Sequence, residues 1–523
     1  MPGLRGPALG AALLGASFAL WPAPRVDPPL PPPLDPGQAA SERAASEAFD
    51  RAVFGHAFGP VVGGVNPPAG ATASLSAFPA AVDELLVLRR ASLGLLGVVP
   101  SLERTQTLLA DPRPDRLEHQ LRAMVEDPRF RARFAQHLME AVAGPDGHAP
   151  LVYRGDRLRA FFEAGLRDHR GYGVLVRELV GAKGLWTGAP ASNFITAAFD
   201  GQMPRQEVLT TRISRAFLGE RMDCAACHDH PFTDLSHEDF VGLSSFFGET
   251  QLSFAGVVDR PHTSTTAPRV PFGERWLPAE GSLRDRLGVW LTHPQNLQLR
   301  LAIANRAMEV VFGRGWIDPV DDLTADEHEL APLTVLADDL RAHGDDLDRL
   351  VRVLIGSRLF RSPAGPGGER QLGRAFPITR LEPETLARSL VQISELRTAE
   401  GQGSLLIRAV RFAKQRDFVE AASRGSAARP ATIPEILLVM NGDLASETAR
   451  GGPLGSIARI AGLENDDKVV RALFLTVLTR APREEELRRF SAALAGTEGR
   501  ARTEAVEDAL WALLASPELI WSH

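Results

Sequence analysis

The chain contains two cysteines, and they stand three residues apart with a histidine directly after them: Cys224-Ala225-Ala226-Cys227-His228. C-x-x-C-H is the attachment signature of c-type haem. Two thiols about one helical turn apart can each add to a vinyl group of the porphyrin, and the next imidazole then falls beneath the iron as its proximal ligand. With two cysteines and 13 histidines in 523 residues, chance would give this pattern in about one chain in ten thousand. Other chemistry is open to the same residues. Cys224 and Cys227 can form a reversible disulfide, although no thioredoxin-like βαβ pattern surrounds them. Cys224, Cys227, His228 and His230 can hold a non-haem metal such as zinc, although zinc sites usually leave a long gap between ligand pairs. The thiols can also be buried and inert.

The haem reading assigns one haem c, with Cys224 and Cys227 as the covalent anchors and His228 as the axial iron ligand. It leaves the sixth iron position open. His230 is a candidate, but two residues from His228 it does not easily reach the opposite face of the same macrocycle. Met308, 80 residues after His228, is a second candidate at a separation familiar from small c-type cytochromes. Met308 also falls on an apolar helical stripe, where packing is its default role. His237, His262 and His293 are weaker candidates. Phe232, Phe240, Phe246 and Phe247 can shield a macrocycle or simply pack helices. Asp229 or Asp239 can support an imidazole from behind. The acidic pair Asp321-Asp322 reads as a loop or helix cap. The sequence contains no P-loop, dinucleotide glycine fingerprint, G-x-S-x-G elbow or H-E-x-x-H motif.

The elements that must position these residues read as helices. Glu207–Leu218 is an expected helix running straight towards the cysteines. Leu85, Leu88 and Leu95 begin an apolar stripe, and Leu117, Leu121, Met124 and Val125 continue one at three-to-four spacing. Further on, Leu297, Leu301, Ala304, Met308 and Val311 trace one helix face, closed by Gly313 as C-cap. Leu347, Leu350, Val351 and Leu354 form another, opened by Asp345 or Asp346. Pro383 marks a helix start before Leu386, Leu390 and Ile393. Val470 to Leu478 and Leu510 to Leu514 close the series. Alternating strand patterns are scarce and no tandem repeat of 20–50 residues is visible. The expected fold is therefore mainly α, in two helical lobes with no large sheet.

Composition sets the class. Hydrophobic residues make up 44% and charged residues 24% of the chain, which suits a chain with a sizeable core and excludes a wholly disordered, collagen-like or multi-span membrane protein. The net charge of -7 offers no global basic field for nucleic acid. Arg5, the weakly polar run Ala8–Leu20 and then Pro22-Ala23-Pro24 read as a secretory signal peptide over residues 1–23, or as an uncleaved N-terminal anchor. No later run is long enough to span a membrane. The expected order is a Pro/Gly-rich linker with a short helix over 24–79, a first domain over 80–260, a linker over 261–281 and a C-terminal helical domain over 282–523. Export places the body of the protein in the periplasm or at the cell surface, beside a redox partner that the sequence does not identify.

The stretch Phe217-Leu218-Gly219 through Cys224–Phe232, with Glu238-Asp239-Phe240 and Gly242–Phe247, resembles the planctomycete cytochrome-c-like domain. The domain of unknown function that usually follows it is matched by Asn305-Arg306, Phe312-Gly313-Arg314-Gly315, Asp318-Pro319-Val320-Asp321-Asp322, Arg380-Leu381-Glu382 and the ending Leu510–Leu519. The resemblance spans roughly residues 80–520 and implies an exported, cytochrome-like protein with no reaction assigned. Two departures stand out. The separate N-terminal cytochrome domain of longer relatives is missing, and Ala307 follows Asn305-Arg306 where the family often has Trp. Electron transfer, or a redox step feeding another exported enzyme, is the function this implies. A cell-surface binding or assembly module with a structural Cys/His cluster is the alternative, and a non-haem metal hydrolase the third.

Overall fold

The computed structural model describes residues 31–32, 35–57, 81–144, 151–200, 203–260, 266–365, 373–395, 405–423, 442–450 and 456–523. The signal-peptide reading and His262 lie outside them. Helices dominate, and the strands among the described residues are short and paired in twos. The longest such pair is the hairpin Thr250–Ser253 with Gly256–Asp259. The fold is mainly α, as the apolar spacing expects. No described helix is long and apolar enough to cross a membrane.

Local chemistry explains where the helices start and stop. Asp346 is the N-cap of Leu347–Gly356 and accepts from the Arg349 amide, which satisfies one of the orphan donors of the first turn. Its neighbour Asp345 instead turns the chain at φ 61°. Pro383 opens Pro383–Ile393, where its missing N–H costs nothing. Gly313 ends Gln298–Phe312 at φ 78°, a left-handed cap that residues with a Cβ rarely adopt.

The described residues fall into two compact units that are not consecutive in sequence. One joins Val82–Ala123 to Ile378–His523. Its core runs from Leu93, Val99 and Leu102 to Leu390, Leu473, Phe474, Leu510 and Leu519. Arg89, 1% exposed, donates to the carbonyls of Val477 at 3.0 Å and Leu519 at 3.3 Å. Burial lowers its pKa to about 10, and the carbonyls satisfy donors that would otherwise be stranded.

The other unit joins Pro32–Ala81 to Met124–Pro377. The helix within the expected 24–79 linker is Pro36–Ala57, 22 residues long, with Phe49 and Val53 fully buried. It is bound in by Ser46 Oγ to the Val353 carbonyl at 2.9 Å and by Arg352 to Glu42 at 2.8 Å. Phe312, Phe360 and Phe376 pack as a ring cluster with centroids 5.6–5.8 Å apart. Asn305, fully buried, donates to the carbonyls of Ile317 at 2.8 Å and Val320 at 3.3 Å and accepts from the Ile317 amide at 3.0 Å. One side chain thereby holds the turn that presents Asp321 and Asp322.

One local device occurs in both units. Arg90-Ala91-Ser92-Leu93-Gly94-Leu95-Leu96-Gly97 and Arg212-Ile213-Ser214-Arg215-Ala216-Phe217-Leu218-Gly219 share the pattern R-x-S-x-x-x-L-G. Each widens into a five-residue π-turn, Ser92–Leu96 or Ser214–Leu218. Each ends on a glycine, at φ 65° or 66°. In both, the Ser carbonyl accepts from the amide six residues on, Val98 or Glu220.

Candidate functional site

The second π-turn leads into the cysteines. Leu209, Ile213, Phe217 and Leu218 are fully buried and fix the Gln206–Ile213 helix and the turn after it. Gly219 is required twice over. Its φ is +66°, and a Cβ there would lie 2.6 Å from Cδ1 of Leu323. That approach is made by the Asp318–Leu323 turn, whose Leu323 amide donates to the Gly219 carbonyl at 2.7 Å. Arg221 donates to Asp321 through Nε at 3.0 Å and Nη2 at 2.6 Å. Arg215 reaches Asp223 at 2.7 Å and Asp321 at 3.5 Å. Asp321, read from sequence as a loop or cap residue, is the anion that secures both arginines flanking the cysteine turn. A pairing a hundred residues apart leaves no local signal.

Cys224–Ala226 form a single 3₁₀ turn. The amides of Cys227 and His228 both donate to the Cys224 carbonyl, at 3.2 and 3.3 Å. Ala225 is fully buried and pins the turn, while both thiols are free and exposed. The inert, buried reading of the cysteines is thus replaced by two accessible sulfurs on one turn. His228 is exposed, and its Nδ1 lies 2.7 Å from the Asp229 carbonyl. A carbonyl only accepts, so Nδ1 carries the proton and the Nε2 lone pair is available. His237 is held in the same way, Nδ1 to the Ala225 carbonyl at 2.9 Å. His230 is the opposite: its Nδ1 accepts from the Phe232 amide at 3.4 Å, which puts the proton on Nε2. Asp229 contributes its main-chain carbonyl to His228 and its carboxylate to the His237 amide at 2.9 Å.

The loop closes through the His230 amide and the Leu235 carbonyl, 2.8 Å apart. It then enters His237–Ser244 through a capping box of Ser236 and Asp239. Asp239 also meets Arg269 at 3.3 Å, so it anchors the helix and does not support an imidazole. Phe240, Phe246 and Phe247 are buried in packing, whereas Phe232 is 88% exposed with its ring edge-on to His230. Met308 is fully buried in Gln298–Phe312. His293 stacks on Trp276 with centroids 5.3 Å apart. Among the described residues no three His, Cys, Asp or Glu side chains gather into a metal-holding group.

Beside the loop opens a cavity of about 780 Å³, lined among others by Glu220, Thr233, Leu235, Asp239, Arg269 and Phe272. Glu220 is pushed up to about 7, by burial first and by the nearby Asp322 second. The Thr233 hydroxyl is buried without a partner. Phe272 presents its ring at φ 42°, a backbone conformation uncommon outside glycine.

Residues 71–252 match the PSCyt2 family model, described as a protein of unknown function (DUF1549). Residues 283–429 match PSD1, a protein of unknown function (DUF1553). The two matches follow one another along the chain, PSCyt2 first and PSD1 after it. This is the planctomycete two-domain arrangement. The cysteine turn lies in the PSCyt2 segment, and the Asp318–Leu323 turn that grips it lies in the PSD1 segment. No curated protein and no solved structure matches the chain.

Proposed function

We propose that this is an exported c-type haem protein, with one haem bound through Cys224 and Cys227 and by His228, serving electron transfer or a redox step coupled to another exported enzyme. The observation that carries the reading is the pairing of two free, exposed thiols on one 3₁₀ turn with an exposed imidazole whose Nδ1 is tied to a carbonyl. The donor set fits the group: sulfurs one turn apart suit the two thioether bonds, and a fixed Nδ1–H leaves Nε2 for iron. Bound there, a haem supplies one-electron redox chemistry.

The chain's own residues supply position and proton placement. The Cys224 carbonyl, by accepting two amides, keeps both sulfurs on one turn. The Asp229 carbonyl holds the His228 ring in one tautomer and raises the basicity of Nε2. The Asp229 carboxylate and the His237 imidazole tie the turn to the start of His237–Ser244. For the sixth position, His237 offers the same tautomer as His228, which His230 does not.

The test is to produce the full chain in a host with haem-attachment machinery and record a pyridine haemochrome spectrum. A c-type band is expected. Its absence, with the protein folded, overturns the reading. Carbon monoxide binding to the reduced protein then separates an open from a filled sixth position.

A further inference from the structure

Several buried arginines in this protein are paired with a carboxylate of the chain. Arg284 is clamped on Asp259 at 2.7–2.9 Å and on two carbonyls. Arg300 pairs with Asp345 at 2.7 Å, and Arg349 with Asp339 at 2.9 Å. Arg212 breaks this pattern. It is 9% exposed, yet its Nη1 is sealed from solvent without an acceptor, and the guanidinium meets no carboxylate among the described residues. The titratable groups that act on it are Arg205, of the same sign, and the Tyr153 phenol. Burial lowers its pKa to about 10, so it is charged at neutral pH. A buried charge without a counter-ion is strongly disfavoured.

The repeated π-turn provides an internal comparison. Arg90 precedes its turn as Arg212 does, is also buried, and donates through Nε to the His523 carbonyl at 2.8 Å. At Arg212 the corresponding acceptor is missing among the described residues. Gly144, at φ +75°, stands opposite: a Cβ there would lie 3.7 Å from Nε and 3.8 Å from Nη2 of Arg212. The glycine leaves uncovered the Nε–Nη2 edge, the side-on fork that matches two oxygens of one oxyanion.

We propose that Arg212 anchors an oxyanion-binding site, with Arg205 adding to the local positive field and Tyr153 beside it, for the carboxylate, phosphate or sulfate group of a small ligand. The site is independent of the haem assignment.

The experiment is thermal unfolding of the full chain in sodium phosphate, sulfate or acetate, each against sodium chloride at matched ionic strength. A saturable rise of about 2–6 °C is expected in at least one oxyanion. A response to acetate alone identifies a carboxylate ligand, and one to phosphate and sulfate a tetrahedral one. Arg212→Lys keeps the charge but loses the fork, and its half-saturating concentration should rise at least tenfold. Arg212→Met should lose the saturable component. Curves that coincide with chloride in wild type, or a saturable response unchanged in Arg212→Lys, overturn the site. The wild-type titration decides even where Arg212→Met does not fold.

Discussion

At the scale of the residue, the account turns on which nitrogen of each imidazole carries the proton. His228 and His237 donate through Nδ1 and His230 accepts there. Replacing His228 with Ala should leave both thioether links intact while changing the absorption spectrum, because the axial base is lost and the sulfurs are not. Replacing His230 should change neither. Glu220 gives a pH prediction. Its folded pKa of about 7 stands above the ordinary 4.5, so the folded state holds an extra proton between those values. The stabilisation is complete below about pH 4.5 and is lost as pH rises through 7. Chemical denaturation should show stability falling by about 2–3 kcal/mol from pH 5 to 8 through this group, and Glu220→Gln should remove that part of the slope. The residue types of the cysteine turn were legible in sequence because the chemistry demands contiguous spacing. Their exposure and the tautomers were not, since both depend on carbonyls that the fold supplies.

At the scale of the element, helix boundaries were legible wherever a single residue type settles the matter: Asp346 as acceptor, Pro383 at a first turn, Gly313 at positive φ. The continuous helix expected over Glu207–Leu218 instead breaks into a regular helix and a π-turn. Its residues all suit a helix, and the chain widens where it closes on the left-handed Gly219, as it does before Gly97. The structural use of Asn305 also escapes a local reading, because its acceptors lie 12 and 15 residues on. Asn305→Ala should cost about 2–4 kcal/mol, stranding one buried amide and two carbonyls. Arg221→Ala exchanges a half-exposed ion pair for solvent and should cost about 1 kcal/mol or less. Denaturant melts of the two variants should therefore differ clearly; equal losses would mean that Asn305 does not hold the Asp318–Leu323 turn.

At the scale of the whole molecule, each compact unit draws on both family segments: 82–123 is completed by the C-terminal stretch, and 124–252 packs with 283–377 in one body. Composition and periodicity identify helices but not which distant helices share a core, and a bond such as Arg89 to Val477, 388 residues apart, has no trace in either stretch alone. Two fragments cut between residues 261 and 281 should each fail to unfold cooperatively by circular dichroism, and should regain a cooperative transition when co-expressed. The central claim concerns what the intact chain carries when made in a cell that can attach haem. Intact-mass spectrometry of the denatured protein should show the polypeptide plus one haem in wild type and the polypeptide alone in Cys224→Ser/Cys227→Ser. A wild-type mass equal to the bare chain, from a host that matures a control cytochrome, would contradict it.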